Sequence, residues 1–515
     1  METNMHKTGR IARNTLMLYV RMLFMMFLGL FTSRIVLSAL GENDFGVYNV
    51  VGGVVAMFTI ISGALNSAVS RFITFEMGKG ADAQLNKVYS TAVTIQFILA
   101  VIVIVLAEPA GLWFIENKMT IAPERITAAK WVLQFSLLAF VVNLMSVPQM
   151  ASITAHEKMS AYAYIGILDG ILRFGTALVI MYSSGDRLVL YSALMAGVVI
   201  AVRAAYGIYC RRHFEECRYS PVMDGSLIRE MFSFAGWNFI GVASGVLRDQ
   251  GGNILVNLFS GPAVNAARGV AVQLNGAVQG FVTNFMTAVN PQITKSYASS
   301  EHEYMYTLVR KSSRLSFCLL LLIALPIFFN ADFLLGVWLK DVPEHAASFV
   351  RLFLVFALSE SLSNPMITAM LATGNIRNYQ IVVGGIQLMN VPVSYLCLKL
   401  GAAPEVTVVV AIVISQICLF ARLTMLGKAT GFPVWKFLDE VWGTALFKVL
   451  CGSLVLPILT DVVKPAGFAG FLLSAGLCVL WSGFVIWILG LRADERQWLR
   501  ETVRNRIRRN DKDNG

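Results

Sequence analysis

The sequence predicts an all-α polytopic membrane protein. About fourteen transmembrane helices are expected, in two pseudo-symmetric six-helix lobes followed by two C-terminal helices. Three observations predict this. Of the 515 residues, 56% are hydrophobic and only 14% charged, whereas soluble proteins carry about 25% charged residues. Apolar segments near the 20 residues that a spanning helix needs recur along the whole chain, separated by short loops. And the chain resembles itself, in order, at an offset of 217 to 225 residues.

In chain order the expected spans are 14–40, 45–70, 88–107, 128–153, 160–182, 188–210, 229–259, 264–290, 312–330, 346–371, 376–398, 405–427, 441–460 and 467–490. Residues 1–13 are polar and basic and precede an apolar run, as in a secretory signal. The run is too long for one and no small-residue cleavage site follows, so it reads as an uncleaved first span. Spans 1, 7 and 8 carry charges, and the loops beside them require them to cross.

Charge sets the orientation. With the N-terminus inside, the inner segments hold 27 Lys and Arg, the outer loops 6 and the spans 9. The positive-inside rule then places both termini in the cytoplasm. The net charge of +11 follows from this asymmetry and does not suggest nucleic acid. The multi-pass chain is expected in a membrane, with the lipid bilayer as its surroundings.

The self-similarity rests on several short matches. Ile73-Thr74 aligns with Ile293-Thr294, and Gly111-Leu112-Trp113 with Gly336-Val337-Trp338. Ala155 to Tyr162 (AHEKMSAY) aligns with Ala372 to Tyr379 (ATGNIRNY). Six spans per repeat make the halves parallel, which places a substrate site between two lobes. The predicted organisation is residues 1–210 as the N-terminal lobe, 226–427 as the C-terminal lobe, 440–490 as two added helices and 491–515 as a basic cytoplasmic tail. In the tail Trp498, Leu499, Val503 and Ile507 share one helical face, which predicts a short amphipathic helix on the inner membrane surface.

The charged stretch Arg248 to Lys295, with a weaker twin from Thr32 to Glu76, points to function. Ionisable groups inside a bilayer face a bundle interior or a wet cavity. Arg34, Arg248, Arg268, Arg21 and Arg173 are therefore candidates for a cationic substrate cavity, since guanidinium grips phosphate oxygens bidentately. Arg203, near the inner end of span 6, is expected to snorkel. Asp249, Glu360 and Asp169 are candidates for ion coupling, H+ or Na+ being the ion such carboxylates carry. Asp169 and Arg173 are four apart and can pair along one helix face. Arg248 and Asp249 are adjacent, so they should not share a face.

GxxxG spacings at Gly166/Gly170, Gly241/Gly245 and Gly276/Gly280 are expected at close helix contacts. The five His and seven Cys form no nucleophile, metal or disulfide pattern. No outer loop is large enough for a catalytic domain. The sequence thus predicts neither enzyme activity nor a cofactor or metal.

The segments SRIVLSALGENDFGVYNVVGGVVAMF, SRFITFEMGKG, AHEKMSAYAYIGILDG and NAARGVAVQ…PQITKSYA resemble bacterial polysaccharide-export flippases of the O-antigen type. That family lies in the multidrug/oligosaccharidyl-lipid/polysaccharide exporter superfamily. The resemblance implies a two-lobed, fourteen-helix inner-membrane transporter. By alternating access it would flip an undecaprenyl-diphosphate-linked oligosaccharide for surface polysaccharide or lipopolysaccharide biosynthesis, in contact with the assembly machinery. The alternatives are an ion-coupled multidrug extruder or a lipid II flippase of the same superfamily, then a polytopic enzyme of glycan assembly or a membrane scaffold.

Overall fold

The fold was taken from a computed structural model. It describes residues 2–497, apart from 57, 81–83, 118, 120, 222–223, 340–341, 454, 457–466 and 493–494. The described residues contain helices and no strand. The chain begins with α1 (Glu2–Ala56), α2 (Thr59–Gly78), α3 (Leu85–Asn117), α4 (Ile126–Met145), α5 (Val147–Ala155), α6 (Met159–Tyr182) and α7 (Arg187–His213). Then come α8 (Gly225–Ala298), α9 (His302–Phe329), α10 (Ala331–Trp338), α11 (Ala346–Ala372), α12 (Arg377–Leu388), α13 (Asn390–Lys399) and α14 (Val406–Thr430). The last elements are α15 (Val434–Phe437), a π-helix (Leu438–Val449), α16 (Leu450–Ser453), α17 (Gly467–Val485) and a second π-helix (Ile486–Gly490).

Among the described residues, ten helical segments are long and apolar enough to cross a membrane. They coincide with the predicted spans 1, 3–6, 9–12 and 14. At predicted spans 2, 7 and 8 the chain is also helical, but charge or polar residues keep those stretches below the apolar threshold. Span 13 is helical through residue 453, and its residues 454 and 457–460 lie outside the described residues. So does the predicted amphipathic face of Trp498, Leu499, Val503 and Ile507.

The internal repeat is written into the backbone. Positive φ occurs at Gly41, Gly80 and Glu157 (75°, 70° and 58°), and again at Gly261, Ser300 and Gly374 (82°, 60° and 79°). Corresponding positions are 220, 220 and 217 residues apart. Left-handed backbone costs an ordinary residue roughly 1–2 kcal/mol, so three ordered coincidences are hard to reach without a common architecture. Gly41 and Gly261 have non-helical φ/ψ inside α1 and α8. At Gly261 the chain doubles back, because Arg268 bonds Asn253. Fifteen residues of straight helix would hold them about 22 Å apart.

Two compact units emerge. Unit 1 comprises residues 1–243, 287–302 and 370–381. Its core packs Val47, Val51 and Val55 of α1 against Val103 of α3, Leu133, Leu137 and Leu144 of α4, and Leu188 of α7. Asp224 caps α8, accepting from the backbone N–H of Ser226 and Leu227. Lys87, 2.6 Å away, and these caps hold its carboxyl well below the usual carboxylate range. Unit 2 comprises 244–286, 303–369 and 382–515. There Arg310 pairs with Glu440 at 3.0 Å and Arg492 with Glu440 at 2.8 Å, while Arg314, almost fully buried, pairs with Glu495. The start of the tail is thereby tied to α9.

Of the three GxxxG spacings, Gly166/Gly170 makes the closest helix contact. A Cβ on Gly166 would lie 2.0 Å from Arg21 Nε, and one on Gly170 2.4 Å from Met25 Sδ, both on α1. At Gly241 a Cβ would meet Gln380, whereas Gly245 and Gly276 face open space. Gly166→Leu is expected to separate α1 from α6 and destabilise the protein by about 1–3 kcal/mol. A lowered melting temperature in detergent, with Gly276→Leu unchanged, checks it.

Candidate functional site

In unit 2 the doubling back at Gly261 brings Arg248, Asp249 and Arg268 together. Arg248 Nε donates to Asp249 Oδ1 at 2.8 Å. Adjacent helical residues point about 100° apart, which argued against a shared face. The long arginine side chain curls back along the helix and overrides that expectation. Its guanidinium also lies 4.8 Å from the Phe356 ring centre, a cation–π contact.

Arg268 is 5% exposed. One Nη donates to Asn253 Oδ1, the other reaches the Asp249 carbonyl at 3.4 Å, and the Phe353 ring lies 5.4 Å away. Its Nε is buried without a hydrogen-bond partner among the described residues. Gly252 makes room for this side chain, since a Cβ there would sit 2.6 Å from Nη2. Two successive glycines inside a helix are costly. The second is explained by the passage of a guanidinium.

These groups border a cavity of about 20 Å3, also lined by Asn390, Ser394 and Thr407. It has room for about one water. The Asn390 Oδ1 is buried and unpaired among the described residues, so the cavity presents both cations and a hydrogen-bond acceptor. Glu360, on α11, lies close enough for its charge to act on Arg248. Its Oε1 is buried with no hydrogen-bond partner among the described residues. Beside it Gln416 Nε2 donates to Ser359 Oγ at 2.5 Å, and Ser359 also bonds Ser415.

Unit 1 holds a second polar group. Arg173 Nε donates to Asp169 Oδ1 at 2.9 Å, the predicted i, i+4 pair. Arg203 does not snorkel. Its Nε and Nη2 donate to Asn143 Oδ1 at 2.9 and 2.6 Å, and its guanidinium lies 5.5 Å from the Tyr206 ring. Asn143 and Arg173 both line a cavity of about 260 Å3 with Tyr48 and Ser192. The asparagine, which nothing in the sequence marked, draws the arginine inward. Arg21 lies 4.6 Å from the Tyr162 ring. Arg34 is exposed and makes no hydrogen bond or ion pair among the described residues.

The sequence reading also missed a cluster in unit 1 at Glu157. This carboxylate is 2% exposed and accepts from Gln292 Nε2 at 2.6 Å and Lys295 Nζ at 2.9 Å. The Glu157 carbonyl accepts from Asn14 at 3.2 Å. Its signal was available: Glu157 lies in the repeated AHEKMSAY segment, at a place where the backbone must turn.

Long apolar helices that carry buried or half-buried arginines mark a polytopic membrane protein. The family model described as "Polysaccharide biosynthesis protein" matches residues 11–297, more than half of the sequence. The chain belongs to that family. The MatE model matches residues 247–396, and both matches fall within the multidrug/polysaccharide exporter superfamily. The chain is therefore a transporter, not an enzyme.

Solved structures share the fold at low sequence identity. A MATE protein in complex with MaD3S is 12% identical, with a TM-score of 0.71 over 82% of this chain and 97% of that one. An outward-facing multidrug resistance MATE family transporter of the MOP superfamily gives 12% and 0.70, over 81% and 96%. The MATE transporter ClbM in complex with Rb+ gives 13% and 0.62, over 80% and 94%. No curated protein matches the sequence.

Proposed function

We propose that this protein flips an undecaprenyl-diphosphate-linked oligosaccharide across the bacterial inner membrane by alternating access, for surface polysaccharide or lipopolysaccharide assembly. Both termini would be cytoplasmic. Residues 1–210 and 226–427 would act as the moving lobes, with 440–490 added to the second. The observation that carries the reading is the convergence of Arg248 and Arg268 around Asp249 in unit 2. Arg248, Arg268 and Arg422 against Asp249 and Glu360 leave local positive charge for a diphosphate, whose oxygens suit the arginine fork. Arg34, exposed, together with Arg21 and Arg173, would add to the cationic lining. Membership of the polysaccharide biosynthesis family supports a lipid-linked glycan over other anions.

The test is reconstitution in proteoliposomes carrying a fluorescent lipid-linked oligosaccharide. The protein should raise the fraction of headgroup accessible to an external glycosidase above that of protein-free vesicles. An unchanged fraction counts against the reading.

A second reading, an ion-coupled multidrug extruder, is favoured by the MatE match and by Glu360, whose buried oxygen has no hydrogen-bond partner among the described residues. Carboxylates such as Asp249, Glu360 and Asp169 would carry H+ or Na+ in either case. Efflux of cationic dyes from expressing cells, abolished in Glu360→Gln, would favour the extruder.

A further inference from the structure

Unit 1 contains a cavity of about 750 Å3, separate from the one lined by Arg248 and Arg268 and bordered by residues of both proposed lobes. Phe72, Arg229, Glu230, Phe234, Trp237 and Arg377 line it, together with the backbone around Gly374. Phe72, Arg229, Glu230 and Arg377 belong to segments that the charge count places on the cytoplasmic side, and Phe234 and Trp237 stand at the adjoining start of predicted span 7. The volume lies within the range of small-ligand sites. Arg229 and Arg377 are exposed at its rim, and the Arg377 guanidinium lies 5.2 Å from the Trp237 ring.

Behind the aromatic wall lies Arg71, 9% exposed. Its guanidinium is 4.7, 4.4 and 5.7 Å from the rings of Phe72, Phe75 and Phe234. One Nη donates to the Ala372 carbonyl at 3.1 Å, and Nε has no partner among the described residues. None of the described carboxylates comes within ion-pair distance. Glu230, on the cavity wall, and Glu76 act on it only through space, and a buried cation without a direct partner is expensive.

The repeat shows what is missing. The turn at Glu157 and the turn at Gly374 are equivalent, both with positive φ. At the first, the chain supplies a carboxylate that neutralises Lys295. At the second it supplies glycine, and a Cβ there would lie 2.6 Å from Arg71 Nη2. The first turn thus brings a directly paired carboxylate and the second does not, leaving Arg71 only the more distant Glu230 and Glu76 beside an open cavity.

We infer that this cavity is a binding site for a phosphate-bearing anion, gripped by Arg229 and Arg377 over the field of Arg71, with Trp237, Phe72 and Phe234 packing its apolar part. The chemistry fits the headgroup of an anionic phospholipid of the adjacent leaflet or a free phosphate compound. The inference is independent of which substrate the protein transports.

Native mass spectrometry of the full-length protein in detergent tests it, with phosphatidylglycerol, phosphatidylcholine and inorganic pyrophosphate as probes. Phosphatidylglycerol should be retained in preference to phosphatidylcholine. The Arg229→Ala/Arg377→Ala variant should lose that retention by about tenfold or more, the scale of charge-assisted hydrogen bonds, with Arg212→Ala as an exposed basic control that keeps it. Displacement of the lipid by pyrophosphate assigns recognition to the phosphate alone. Failure to displace, with loss in the double variant, assigns it to the lipid headgroup. Equal retention of the two lipids, or equal loss in the double variant and the control, overturns the site. Because both rim arginines are exposed, the variant should fold, and an unchanged elution profile verifies that.

Discussion

Arg268→Ala is expected to reduce glycan export by roughly 10- to 100-fold while the protein still accumulates in the membrane. The expectation combines two physical terms. A charged group hydrogen-bonded to its ligand contributes about 1.5–3 kcal/mol, and that is lost. The stability cost should be small, because the native guanidinium is itself incompletely satisfied, with Nε unpartnered. Removing a poorly paired buried ion is often neutral. Arg248→Ala should act in the same direction, leaving Asp249 without its 2.8 Å partner.

Gly252→Ala separates charge from position. The new Cβ would displace the Arg268 terminus, 2.6 Å away, without removing it, so export should fall by an intermediate amount. Arg268→Lys should not restore activity, since an ammonium lacks the planar fork. Surface polysaccharide staining alongside immunoblots of the membrane fraction reads all four variants. Wild-type export in both Arg248→Ala and Arg268→Ala would mean that these cations do not contact substrate.

The second large effect is on stability. Glu157→Ala should cost about 3 kcal/mol, at the low end for breaking a buried ion pair because Lys295 remains 23% exposed. It also strands Gln292, which is 3% exposed. The backbone adds a sharper prediction. At φ 58°, Glu157→Gly relieves strain that alanine retains, so the glycine variant should melt above the alanine variant by an amount reflecting about 1–2 kcal/mol. In a helix the order would be reversed. Thermal denaturation followed by light scattering in detergent measures both. Equal melting of wild type and alanine variant would show the cluster to be energetically idle.

Hydropathy carried the fold because spanning helices impose a composition that no other requirement produces. The repeat was legible in short ordered matches such as AHEKMSAY and ATGNIRNY, which hold the positive-φ turns at Glu157 and Gly374; the turns at Gly41 and Gly261 lie outside those matches. The site was only partly legible. Sequence placed Arg248 and Arg268 in neighbouring spans, and the fold-back at Gly261 brought them together. Sequence could not foresee that Arg248 would curl onto its immediate neighbour, because side-chain reach is not a property of spacing. Nor could it place Arg203, whose partner Asn143 is 60 residues away and ordinary in type. Arg71 was counted only as a loop charge, since its burial depends on three rings from two helices.

Gly261 acts as the origin of a ruler. Asn253 stands eight residues before it and Arg268 seven after, and their bond requires both counts at once. Adding or deleting one residue on either arm would swing a guanidinium by about 100° and slide it by 1.5 Å. The intervening side chains can be exchanged at far less cost. The charge site is therefore stored as a length rather than as a motif, and insertions between 253 and 268 should be purged where substitutions drift.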